Sequence, residues 1–245
     1  MTLLLGTSVL QWAPLVSAII AFCAVVVAVS ALGFQYWQFK KNREPVIAPA
    51  IRSFDLYLPE THLDWDTGEK LEDKFADTTI PIYNYGGTAA INIAYSYRFT
   101  NVSQIKESLI NKIKDEDYKI KINSINGKIE PFEIFFQNPV LTKTIRINKI
   151  YTRRKDLISP GEKIDIQLPS YFLIIISYAI CFGGINNQDF PELELSLTYN
   201  DINHKNWNVK YMIKMDSNYR WRIQSDKLRF ECAFIPEYIS KEKIN

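Results

Sequence analysis

The sequence predicts a single N-terminal transmembrane α-helix followed by a mainly-β, antiparallel β-sandwich domain with one or two short helices. Three observations predict it. No Asp, Glu, Lys or Arg occurs before Lys40. From Pro45 onward the continuous apolar run gives way to alternation of apolar and polar residues, which is the period of a strand. Turn signals then recur along the chain at Tyr85-Gly86-Gly87, Asn126-Gly127 and Pro160-Gly161. These features divide the chain into a helix with its basic flank over 1–44, a β-sandwich over 45–239 and a polar tail over 240–245.

The helix comes first. Leu15 to Phe34 is a 20-residue stretch broken only by Ser17, Ser30 and Gly33. At about 1.5 Å per residue it crosses a hydrocarbon core of about 30 Å. Trp12 lies on one flank and Tyr36 and Trp37 on the other, where aromatic belts form. A cleaved signal peptide carries its charge before a shorter apolar core, and here the charge follows a long one. Lys40, Lys41 and Arg43 stand directly after the span. The positive-inside rule then places the N-terminus outside and the following domain in the cytoplasm, with an inner membrane as the expected setting. The three cations are expected to touch anionic lipid headgroups, at about 1 kcal/mol per charge near the surface.

Along this helix a seam recurs in alternating steps of four and three: Ser17, Ala21, Ala24, Ala28, Ala31, Gln35 and Gln38. That is the 3.5-residue period of a left-handed helix bundle. Helices associate in lipid where small side chains let backbones approach and where amides bond across. Bulkier residues such as Ile20, Phe22, Val26, Val29 and Leu32 lie beside the seam and suit lipid tails. The partner helix is expected to come from another copy of the chain or from another protein, and closed symmetry makes a homo-oligomer the default. In a ring of helices Gln35 and Gln38 form polar collars. These act either as a structural clasp or as the mouth of a pore whose deeper wall is Ala and Ser.

Alternating strands are expected at Val46–Leu58, Thr78–Gly86, Ala89–Phe99, Tyr118–Ser124, Gly127–Phe136, Thr142–Tyr151, Gly161–Leu168, Glu192–Asn200, Trp207–Met215 and Lys227–Ile235. Polar outward faces favour antiparallel pairing in a two-layer sandwich. Ser103–Lys114 carries Ile105, Leu109, Ile110 and Ile113 at helical spacing after a Ser103 cap. Pro169–Gly184 contains a dense apolar run, "YFLIIISYAICF", too short to cross a bilayer unaided. It reads as a buried helix or strand, with membrane or oligomer contact as the alternative.

The remaining residues exclude more chemistry than they suggest. A net charge of +2 does not argue for nucleic acid as the main partner. Cys23, Cys181 and Cys232 are scattered and odd in number, which reads as reduced thiols. His62 and His204 lack the neighbours that complete a metal set. "LDWDTGEKLED" (Leu63–Asp73) offers Asp64 and Asp66 but fails as a calcium loop at its fifth and sixth places, and reads as an acidic exposed loop. No phosphate loop, dinucleotide fingerprint, nucleophile elbow or zinc motif occurs, so neither a catalytic centre nor a cofactor is expected. Two basic clusters remain: Arg153, Arg154 and Lys155, and Arg220, Trp221 and Arg222. Trp221 between two guanidiniums could stack a base while they hold phosphate. The competing reading is charge guarding an edge strand.

"FQYWQFKKNREPVIAPAI", "IPIYNYGGTAAINI", "ISPGEKIDIQLP" and "YNDINHKNWNVKYMI" together resemble bacterial single-span membrane proteins with a β-sandwich behind the anchor. That class includes membrane effectors of anti-phage defence systems. The resemblance implies that a cytosolic sensor, or a partner enzyme encoded nearby, signals and the membrane component breaches the bilayer; a nucleotide or oligonucleotide signal is expected if the two basic clusters meet on one face. With the seam, it leads to the expectation of a homo-oligomeric, pore- or channel-forming effector. The alternative is a non-conducting scaffold that recruits a partner to the membrane.

Overall fold

The computed structural model describes residues 5–58, 78–111, 119–125, 128–137, 142–147, 151–182, 190–224 and 227–244. The acidic loop at Leu63–Asp73 and the Asn126-Gly127 turn lie outside them. The chain divides into two compact units, Met1–Glu44 and Pro45–Asn245.

The first unit is one helix, α1 (Leu5–Asn42), of 38 residues. Its segment Pro14–Lys40 has 27 residues, a mean hydropathy of 2.8 and no buried share, so it is long and apolar enough to cross a membrane. Every described side chain from Pro14 to Lys40 is exposed. Ser30, off the seam, donates its hydroxyl to the Val26 carbonyl at 2.8 Å, which satisfies its polar group within the helix.

The second unit is mostly antiparallel strand: β1 (Ile47–Pro49), β2 (Arg52–Leu58), β3 (Thr79–Asn84), β4 (Ala90–Phe99), β5 (Lys119–Ile125), β6 (Lys128–Gln137), β7 (Thr142–Ile147), β8 (Tyr151–Ile158), β9 (Lys163–Gln167), β10 (Leu193–Asn200), β11 (Asn206–Met215), β12 (Arg220–Gln224) and β13 (Lys227–Ile244). One small sheet runs β1-β3-β9 and another β5-β6-β7. The large sheet runs β12-β13-β11-β10-β4-β8, with β2 on the other side of β13. Glu231 of β13 pairs with both Arg220 and Asp55, and Phe234 pairs with both Met215 and Arg52. So β11 and β12 follow one another along the same edge of β13, and β2 takes the opposite edge.

Alternation drives this pairing where a strand has one buried face. β10 alternates buried and half-buried residues without a break, with Leu193, Leu195, Leu197 and Tyr199 inward. β4 keeps its apolar residues inward through a bulge at Asn92, whose φ of 52° is a left-handed conformation that Asn tolerates.

Alternation missed elements where neither face is buried. β8 exposes Arg153 through Leu157 consecutively, so no period marks it. β12 was likewise expected only as a basic cluster. Residues 240–244, expected as part of a polar tail, continue β13 and pair with Asn206–Lys210. The single strand expected over Val46–Leu58 breaks at Ala50–Ile51, giving β1 to one sheet and β2 to another. The first short helix, α2 (Val102–Ile105), passes directly into a π-helical turn over Lys106–Ile110. Its cap is Asn101 rather than Ser103, and Asn101 spends its side chain on the Phe190 carbonyl and the Glu192 N–H.

The apolar run after Pro169 forms α3 (Ser170–Phe182). Its described side chains are all buried: Tyr171, Phe172, Leu173, Ile175, Ile176, Tyr178, Ala179 and Ile180. They share one hydrophobic cluster with Ile47, Ile80, Ile82 and Ile166 of the small sheet and with Tyr97, Leu195, Ile213 and Phe234 of the large one. Phe172 packs on Phe234 with ring centroids 5.7 Å apart. Thus α3 is enclosed by the domain, which leaves those side chains no surface for membrane or oligomer contact. At about 1.5–3 kcal/mol for each large apolar side chain fully buried, this helix is a main contributor to stability. Phe172→Ala is expected to cost about 3–5 kcal/mol, read as a lowered midpoint of chemical unfolding followed by circular dichroism.

Candidate functional site

Seven seam residues sit on one continuous helix. At about 100° per residue, Ser17, Ala21, Ala24, Ala28, Ala31, Gln35 and Gln38 fall within an arc of about 100°. All seven are exposed. Phe34 and Trp37 stack on one another at 6.1 Å away from the seam, and the Arg43 guanidinium lies 4.0 Å over the Phe39 ring. That cation–π contact holds one member of the basic flank against the last apolar turn. Lys40 is exposed and Lys41 belongs to the same helical turn.

Two residues, Arg43 and Glu44, separate α1 from Pro45, and the next three residues are held tightly. The Tyr199 hydroxyl donates to the Pro45 carbonyl at 3.2 Å, and the Tyr211 hydroxyl donates to the Ile47 carbonyl at 3.0 Å. Both bonds are buried. Val46 N–H donates to Asn84 Oδ1 at 3.3 Å, and Tyr85 N–H to the Val46 carbonyl at 2.8 Å.

Asn84 is fully buried and uses its whole amide. Its Oδ1 also accepts from Gly86 N–H at 2.9 Å, while Nδ2 donates to the Thr88 and Ile158 carbonyls at 2.8 and 3.0 Å. Its own carbonyl accepts from Gly161 N–H at 2.9 Å. Gly161 has a φ of 74°, which explains the glycine of the Pro160-Gly161 turn. One side chain therefore ties together the start of β1, the turn after β3, and the end of β8. Tyr211 keeps its proton: burial first, then Tyr238 and Tyr85, push its pKa up to about 12.

The β10–β11 turn is fixed in the same manner. Asp201 Oδ1 accepts from Asn203 N–H at 2.8 Å and Lys205 N–H at 3.0 Å, and Oδ2 from Trp207 Nε1 at 3.3 Å. Burial by itself raises the Asp201 pKa, but those bonds and the Lys205 charge outweigh it and hold the carboxyl below its ordinary value.

The two basic clusters do not meet. Arg153 stands across from Tyr95, then Leu197, Val209 and finally Lys241 of β13. Arg222 stands across from Arg229 of the same strand. At about 3.3 Å per residue the two rows are roughly 40 Å apart along β13. Arg222 and Arg229 are like charges face to face, and Glu231 lies 3.6 Å from one and 3.3 Å from the other. Asp55 completes the ladder at 2.7 Å from Arg229. Trp221 is a β12 residue opposite Phe230. Arg153, Arg154 and Lys155 are exposed along β8, at the end of the large sheet.

Sequence reasoning did not single out Asn84, Tyr199, Tyr211 or Asp201. The signal was present, since all four lie in or beside the quoted segments "IPIYNYGGTAAINI" and "YNDINHKNWNVKYMI". Among the described residues no group of His, Cys, Asp and Glu could hold a metal ion. The thiols of Cys23 and Cys232 are free, and burial pushes Cys232 up to about 11.

Fold and site together define a class: an apolar N-terminal helix joined by two residues to an antiparallel β domain that clasps its own first strand. Compared with known protein families, curated proteins and solved structures, the chain matches none.

Asn84→Ala leaves the Val46 and Gly86 N–H groups and the Thr88 and Ile158 carbonyls without this partner. It is expected to lower stability by about 2–4 kcal/mol, measured by thermal unfolding in detergent. Asp201 has a lowered pKa when folded, so its contribution is present above the unfolded value of about 3.9 and is lost as pH falls through the folded value. Melting temperature is therefore expected to fall below about pH 4, and Asp201→Asn to flatten that part of the profile.

Proposed function

We propose that this protein is a membrane-anchored homo-oligomeric effector whose α1 helices form a closed pore, controlled through a cytoplasmic β-sandwich. One observation carries the reading: Pro14–Lys40 is apolar on every side and has no buried residue. An apolar helix of this length needs lipid or other helices around it. The seam supplies the contact face, and Gln35 and Gln38 supply amides that bond across a ring near the cytoplasmic end. Lys40, Lys41 and Arg43 set the orientation, N-terminus outside, in an inner membrane.

The clasp supports a coupled anchor over a loose one. A flexible linker would absorb any motion of the domain. Here two residues stand between α1 and a segment held by Tyr199, Tyr211 and Asn84, so a turn of the domain on binding a ligand or partner enzyme is passed to the helix. In the Asp55–Arg229–Glu231–Arg222 ladder Arg222 has a carboxylate within 3.6 Å, which supports the reading of this arginine as a guard of the strand. Anti-phage defence is the setting that the resemblance to single-span effectors implies.

In detergent the protein is expected to run as an oligomer, and Ala24→Leu with Ala28→Leu to shift it toward monomer in analytical ultracentrifugation. Reconstituted protein is expected to pass ions, with conductance altered by Gln35→Leu. A monomer at all concentrations overturns the oligomer. Oligomers that never conduct, with or without added ligands or partners, leave a membrane scaffold instead.

A further inference from the structure

One cross-strand row marks an end of the large sheet. Leu157 pairs with Ile91, Ile91 with Asn200, Asn200 with Asn206 and Asn206 with Ile244. The β10–β11 turn projects just beyond this row. The chain enters the β domain at the same end. Pro45 is bonded to Tyr199, one residue from Asn200, and Asn84 is bonded to Ile158, one residue from Leu157.

This end is also where the domain leaves its large apolar side chains uncovered. Val46 is 46% exposed, Tyr85 63%, Leu157 49%, Ile202 48% and Ile244 44%. They come from five separate segments, which the fold gathers at one end. Tyr238 and Ile239 lie part-way down β13. Ile51 is the only other large apolar side chain described as exposed in this domain, and it precedes Arg52, which pairs with Phe234. That pair lies about 30 Å along β13 from Ile244 at ~3.3 Å per residue.

We infer that this end is a lipid-docking surface, which seats the β domain on the interface of the bilayer that holds α1. The inference rests on the reading of α1 as a span. Its physical basis is the tether. Asn42 and Pro45 are three peptide bonds apart, about 10 Å at full extension. Where α1 emerges from lipid, the domain end carrying Pro45 is therefore held beside the headgroups. A short tether acts as a high effective concentration, so a modest apolar surface is enough to stay engaged. Aliphatic and tyrosine side chains are the groups that partition into the headgroup–acyl boundary.

Charge does not carry the contact. Near this end Lys163 lies 3.7 Å from Asp165, Lys205 acts on Asp201, and Lys155 and Lys243 each adjoin a carboxylate in the chain, Asp156 and Glu242, so the cations are offset and the uncovered apolar side chains are the basis of the contact. Contact is therefore expected in zwitterionic bilayers as well. A seated domain also cannot swing freely about residues 43 and 44. Partner binding would then tilt it against the membrane surface and lever α1.

The test places the photocrosslinker p-benzoylphenylalanine, one site at a time, in the full-length protein reconstituted in phosphatidylcholine vesicles. The sites are Ile202, Leu157, Ile51 and Val26. After irradiation, lipid adducts are read by mass spectrometry and protein dimers on a denaturing gel. Lipid adducts are expected at Val26, Ile202 and Leu157, several-fold above Ile51. Lipid adducts at Val26 with none at Ile202 and Leu157 overturn the docking surface while the span stands. Dimer bands from Ile202 or Leu157 in place of lipid adducts assign the surface to a second copy and overturn lipid docking. No adduct at Val26 overturns the span and the docking with it. Adducts at Ile202 that require anionic lipid overturn the apolar basis.

Discussion

Among the described residues two helices are predominantly apolar, α1 over Pro14–Lys40 and α3, and they find cover in different ways. Residues of α3 reach cover inside the β domain, between side chains of the small and the large sheet. Pro14–Lys40 of α1 finds none among the described residues. Exposed to water, such a helix would present a far larger apolar patch than soluble monomers carry. Length separates the two fates: 13 residues of α3 span about 20 Å, too little for a bilayer, whereas 27 residues of α1 span about 40 Å. The proposed membrane role follows from that uncovered surface.

The entry of the chain into the β domain is built from buried polar groups, all of them paired. An unpaired buried amide or carbonyl is costly, so a buried Asn is tolerated only where each of its bonds is made. Asn84 meets that demand by drawing three chain segments to itself. Tyr199 and Tyr211 do the same for the carbonyls of Pro45 and Ile47, which β1 leaves turned toward the large sheet. Asn84 is buried and each polar atom of its amide is bonded, which favours a single geometry here.

The edges of the large sheet are guarded by charge. β8 carries Arg153, Arg154 and Lys155 at one end, with the first and last on the face shared by Tyr95 and Ile93. Long cations on the inward face of an edge strand discourage another strand from adding on. Along β13, Pro236, the register shift near Tyr238 and the charges of Lys241–Lys243 serve the same end. The Arg222–Glu231–Arg229–Asp55 ladder lets two arginines stand opposite one another by placing a carboxylate within reach of each.

By itself the sequence determined what depends on neighbours along the chain. The apolar run before Lys40 declares α1, because a helix satisfies its own backbone and needs only its own side chains to define its surface. Alternation declares β4, β10 and β11, because each has one buried face and one more open one, and β3 is declared by the same apolar period although Pro81 on its second face is also buried. The seam, as a spacing, was legible for the same reason. Tertiary structure decided the rest. β8 and the last third of β13 carry no period, since both faces largely meet water, and it is pairing with a neighbouring strand that makes them strands; β12 is likewise a strand by its pairing with β13. The same run "YFLIIISYAICF" reads as helix, strand or span until packing encloses it. Asn84 looks like an ordinary turn residue until Val46, Thr88 and Ile158 arrive around it, and the gathering of Val46, Tyr85, Leu157, Ile202 and Ile244 at one end is invisible along the chain. Contacts between residues far apart in sequence leave no local trace, because nothing in a side chain's neighbours specifies which distant backbone group it will satisfy.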